Sequence, residues 1–118
     1  MESLSEVNLF FLHKLCEFLE IKHNMKSRDS YDFNGFKAEK EVLDICKQAN
    51  ADVYITGPAG MNYLHEENFL KENIELKVFS YDGYKEYPQL NRKFIHQVSI
   101  VDMMFNLGKD AKEYLLTV

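Results

Sequence analysis

Apolar residues recur at helical spacing through Leu4, Val7, Phe11, Leu15 and Phe18, widened by Leu12, Cys16 and Leu19. That pattern predicts an amino-terminal helix. Ser3 and Glu6 stand at capping-box spacing at its start. A stripe so broad is expected to bury against more than one neighbour. Ile21, His23 and Met25 then alternate with Lys22, Asn24 and Lys26, the period of a half-buried strand over 21–26. The polar, aromatic and glycine-containing run over 27–36 reads as a loop and as the best candidate for a mobile segment.

A second helix is expected over 37–50, with Val42, Ile45, Cys46 and Ala49 on its inner face. Val53, Tyr54 and Ile55 form a short apolar run and predict a second strand. Gly57-Pro58-Ala59-Gly60 reads as a turn, 62–70 as helical with Asn73 ending it, and 76–79 as a third strand. The aromatic stretch over 80–98 has no helical period and reads as an ordered loop. Ser99 then caps a helix that is apolar nearly all round, read as core, and Gly108 stops it. A last amphipathic turn over 111–116 closes the chain. Strands alternating with helices predict an α/β fold, a small mostly parallel sheet of about three strands flanked by helices, Rossmann-like.

At 118 residues the chain has the length of one α/β domain, 1–118. Hydrophobic content of 46% argues for a folded globule. A formal net charge of -5 disfavours nucleic acid and anionic membrane surfaces, which require a basic face. The longest apolar runs fall well short of a bilayer span, so no membrane insertion is expected. The start of the chain lacks the basic flank and apolar block of a secretory signal, so a cytoplasmic location is expected. Cys16 and Cys46 each lie in an apolar helical stripe and read as small buried hydrophobes. No second Cys or His lies at ligand spacing from either, and His13, His23, His65 and His96 do not cluster along the chain. No metal site and no catalytic triad is predicted.

The candidate chemistry gathers at the end of the second predicted strand. There, strand ends and helix starts present unpaired amides to polar or anionic ligands. Gly57 and Gly60 fit a ligand approaching the backbone, and they equally fit a turn that needs glycine conformations. Ala59 lies in the same turn, and Thr56 and Tyr63 flank it. The spacing lacks the third glycine of a dinucleotide fingerprint, and no Lys-Ser or Lys-Thr follows as in a P-loop. Lys37 is either solvated or paired with an anion, because a cation opposes the dipole at a helix start; the dipole accounts for Glu39 structurally. Tyr87 and Gln89 fit either a stacking ligand contact or an anchor for the loop. Ser99 and Asp102 read as a helix cap. His65 lies near the turn, but the sequence shows no partner to orient it as a base.

The phrases over 37–64, 74–89 and 94–108 stand in order and at matching spacing, and with them the chain resembles the WbqC-like family. The resemblance implies a part in bacterial surface-polysaccharide synthesis of the O-antigen or lipopolysaccharide type. It further implies a transferase that moves a small acyl or aminoacyl group onto a nucleotide-linked amino sugar. No cofactor is expected, and a nucleotide or nucleotide sugar would enter as substrate. The family protein is longer, with an amino-terminal half that begins with a strand and a Gln-Pro-aromatic loop. The chain is therefore read as resembling the carboxy-terminal half only. Two other readings stand beside the enzyme: a ligand-binding or assembly module, and an inactive fragment. A homo-oligomer, or docking with a missing amino-terminal half, is expected from surface left uncovered.

Overall fold

Ser3 Oγ accepts the Glu6 amide at 3.2 Å while the Glu6 carboxylate accepts the Ser3 amide at 3.2 Å, which closes the expected capping box. The helix it starts, α1 (Leu4–Phe18), ends in a Schellman stop. The Ile21 amide bonds to Cys16 O, and Glu20 takes φ 57. The same device ends α2 (Glu39–Gln48) at Asn50 and α3 (Glu66–Lys71) at Asn73, where the amides of Ala51 and Ile74 reach back to Cys46 O and Phe69 O. A computed structural model describes residues 3–90 and 93–116. Asn91 and Arg92 of the expected aromatic loop lie outside the described residues.

The chain divides into two compact units, Lys26–Tyr81 and the pair Met1–Met25 with Asp82–Val118. In the central unit, β1 (Val53–Thr56) and β2 (Glu75–Val78) pair in parallel, with Val53 opposite Glu75 and Thr56 opposite Val78. Between them run a 3-10 turn over Pro58–Asn62 and α3, so this stretch is a compact βαβ crossover. Cys46, Leu64, Phe69, Ile74 and Leu76 make the core, with Val42, Leu43, Ala51 and Tyr54 packed against it. Tyr54 stacks on Phe69 with centroids 5.6 Å apart.

Of the three expected strands, the one over 21–26 is absent among the described residues: that stretch is irregular, and the sheet has two strands. Alternation alone does not make a strand without a neighbour to complete its hydrogen bonds. Here the His23 ring takes the Ile21 carbonyl instead, at 3.0 Å. The 27–36 segment, expected to be mobile, is strapped to α2. Arg28 Nε donates to Glu41 at 3.0 Å, Gln48 brackets both backbone groups of Asp32, and Asn34 donates to Asp44 at 2.9 Å. Ala49, expected to face inward, is exposed near the end of α2.

In the second unit, α4 (Ile100–Leu107) is capped by Ser99 Oγ on the Val101 amide at 3.2 Å. It is stopped by Gly108 at φ 57, ψ -132, backbone that only glycine takes easily. A 3-10 segment, Gly108–Tyr114, follows. Leu19, Tyr87, Met103 and Ala111 form the core. The all-round apolar α4 is core on one face only, because Phe105 stays 87% exposed. Likewise α1 buries none of its residues: Leu4, Phe10 and Phe11 remain exposed, as this unit offers too few elements to cover so broad a stripe. Among the described residues no helix is long and apolar enough to cross a membrane.

Candidate functional site

The corner after β1 stands at the carboxyl end of a parallel strand, where the sequence expects a ligand. Gly57 leaves the strand at φ -74, ψ 168, backbone open to any residue, and a Cβ built there would meet nothing within 4 Å. Neither packing nor conformation therefore requires glycine at 57. Gly60 is the opposite case. It is buried, and a Cβ would stand 2.0 Å from Thr56 Oγ1, so close approach of the Thr56 side chain demands glycine. Neither glycine has positive φ, which removes the expectation that the turn needs glycine conformations. The Gly60 amide is taken by Gly57 O at 3.0 Å, and Gly60 O accepts from Tyr63 and Leu64. Thr56 Oγ1 donates to Gly57 O at 3.3 Å. Gly57, Ala59 and Tyr63 remain exposed. The open part of the corner is its first turn, and Gly60 is its hinge with the core.

Beside this corner the structure assembles a pair that the sequence kept apart. Glu39, in the first turn of α2, accepts the backbone N–H of His65 at 2.6 Å and a hydrogen bond from Asn68 at 2.6 Å. The same carboxylate lies 2.8 Å from His65 Nδ1. The Glu39 side chain is 16% exposed and the His65 side chain 64%. Burial is the largest single influence on the Glu39 carboxyl and raises it. The bonds from the His65 ring, Asn68 and the His65 amide, with the charge of His65, together carry it below the usual carboxylate range. Glu39 thus holds one ring nitrogen and leaves Nε2 on an exposed edge, where it can exchange a proton with a bound molecule.

Glu39 owes its position to an unusual entry. Ala38, the N-cap residue of α2, sits at φ 49, ψ -129 and makes no side-chain cap. Lys37 before it is exposed and has no ion-pair partner among the described residues. The helix dipole accounts for a carboxylate at 39, but not for one that reaches across to α3. No signal in the sequence pairs 39 with 65. Only the crossover topology brings the start of α2 and the end of the glycine corner together.

Tyr87, Gln89, Ser99 and Asp102 belong to the other unit and bond to one another. Tyr87 OH donates to Asp102 Oδ2 at 2.7 Å. The Gln89 amide donates to Ile95 O at 3.0 Å and accepts the Ile95 N–H at 2.9 Å, as a strand residue would. It also reaches Asp102 Oδ2 at 3.2 Å. The anchor reading is the one this geometry fits. Burial first, then the bond to Asp102, pushes the Tyr87 phenol above its ordinary value. Asp102 faces Tyr87 and Gln89, so the Ser99 cap has no reciprocal carboxylate.

The model of the WbqC-like protein family matches residues 1–114. The match covers nearly the whole chain, so the reading as a carboxy-terminal half only is not borne out. An uncharacterized protein of Mycobacterium tuberculosis is 35% identical over 113 residues, covering 96% of this chain and 48% of that relative. The chain thus spans about half the length of the curated relative it matches. No solved structure matches.

Proposed function

Because this chain belongs to the WbqC-like protein family, we propose that it serves surface-polysaccharide synthesis, as part of a transferase that acylates a nucleotide-linked amino sugar. The observation that carries the proposal is the Glu39–His65 pair beside the open Gly57 corner. Phosphate or sugar oxygens approach the first turn after β1, where Gly57 adds no side chain and Lys37 supplies an unpaired cation in the same unit. His65 Nε2 takes the proton from the sugar amine as its nitrogen attacks the carbonyl of an activated acyl or aminoacyl donor. The new C–N bond forms, the donor's leaving group departs with the carbonyl's former bonding pair, and the proton returns through the imidazolium to that group. Glu39 is a positioning residue: it holds the imidazole by Nδ1 and stabilises the imidazolium that forms.

Thermal-shift measurement with UDP-N-acetylglucosamine, and with UDP alone, tests the binding half. Stabilisation should vanish in Gly57→Val, while the ligand-free melting temperature stays near that of the parent. A shift that survives Gly57→Val puts the ligand elsewhere and ends this reading. The bare stripe of α1 favours a second reading, an assembly module that docks further polypeptide or a second copy. A single monomeric species in sedimentation at micromolar concentration removes the homo-oligomer.

A further inference from the structure

The histidines that seem scattered along the sequence include one close pair. His13 Nδ1, on α1, stands 2.8 Å from His23 Nε2, with the rings 5.0 Å apart and both exposed. The Schellman stop at Glu20 turns the chain back so that residue 23 returns beside residue 13. His23 Nδ1 is 3.0 Å from Ile21 O. A carbonyl only accepts, so this contact fixes the proton on His23 Nδ1 and leaves a lone pair on Nε2, aimed at His13. A backbone carbonyl behind an imidazole is the usual outer support of a metal-binding histidine.

We propose that His13 Nδ1 and His23 Nε2 form a two-imidazole site for a divalent transition cation of the nickel, copper or zinc type. Two nitrogens bound at right angles, as nickel or copper holds them, with bonds of about 2.0–2.1 Å, stand about 2.9 Å apart, close to the separation already present. The tetrahedral angle of zinc needs about 3.3 Å. Both exposed rings turn so that their lone pairs meet at a shared point off the line between the two nitrogens. The proton on His13 Nδ1 moves through solvent to Nε2, so a neutral pair binds the cation without net proton release. Water completes the coordination sphere, because among the described residues no third ligating side chain joins the pair. Glu17 lies one turn after His13 and is held by Lys14 at 2.7 Å. Its carboxyl is lowered chiefly by the bond to Lys14 and the charge of Lys14, so the two stand near the site as a local ion pair. The bound cation would tie the end of α1 to the returning segment, independently of the Glu39–His65 site.

Calorimetric titration of the untagged chain with nickel chloride, repeated with zinc chloride, is the test. One cation per chain is expected, and His13→Ala and His23→Ala should each weaken it by about tenfold or more. His65→Ala and Cys16→Ser should leave it unchanged. In the unaltered chain, zinc should shift the side-chain 15N resonances of His13 and His23 together, a readout that needs no variant to fold. Absence of binding to the parent chain, or binding that follows His65 or Cys16, overturns the proposal.

Discussion

Glu39 and His65 are 26 positions apart in the chain, yet the carboxylate lies 2.8 Å from the imidazole Nδ1 and accepts the His65 amide as well. One side chain therefore tethers the start of α3 to the start of α2 and orients an exposed ring beside the Gly57 corner. Under the acyl-transfer reading, His65→Gln should lower turnover by about 10²–10⁴-fold, the usual range for a positioned base, while nucleotide-sugar affinity is kept. Steady-state kinetics set against a thermal-shift titration separate the two effects. Equal loss of both would make His65 a binding residue.

The same carboxylate sets a pH dependence of stability. Its pKa in the folded chain lies below that in the unfolded chain. The stabilisation is therefore present above the ordinary glutamate range and is lost as pH falls through the lowered folded value. Urea midpoints measured between pH 6 and pH 3 should fall more steeply for the parent than for Glu39→Gln. Parallel curves would show that Glu39 has no such role.

Gly60→Ala places a methyl group 2.0 Å from Thr56 Oγ1 and should destabilise by about 1–3 kcal/mol, the usual cost of overpacking. Adding Thr56→Ala should recover part of that loss, and denaturant unfolding of the double-mutant cycle measures the coupling. Additive losses would mean that Thr56 is not the obstacle.

Ala38 has the opposite need. At φ 49, ψ -129 it occupies backbone suited to glycine, so Ala38→Gly should stabilise by about 1 kcal/mol despite the added chain entropy. Thermal unfolding checks it, and a lower melting temperature would contradict the strain.

Tyr87 links burial to alkaline stability. Its phenol is raised in the folded chain, chiefly by burial, so the stabilisation holds below the ordinary tyrosine value and is lost as pH rises through the folded one. Tyr87→Phe should flatten the alkaline fall and cost about 1 kcal/mol at neutral pH for the lost bond to Asp102. Unfolding curves at pH 7 and above pH 10 test both parts.

Local order was legible where the signal is local. Ser3 and Glu6 announce their capping box, Ser99 its cap and Gly108 its stop, because each device spans a few residues. The 21–26 stretch misled because alternation describes a side-chain pattern, while a strand also needs a neighbouring backbone. The 27–36 segment misled because the Gln48 and Asp44 side chains that hold it come from the next helix.

By itself, then, the sequence determined the helical stripes, their caps and stops, the β1 corner and the family, since these rest on spacing along one chain. The tertiary structure alone decided that Glu39 meets His65, that His13 meets His23, and that Gly60 is kept small by Thr56. Those meetings depend on how the βαβ crossover and the turn after α1 fold distant residues together. Sequence periodicity carries no information about which side chain lies across a gap of 2.8 Å.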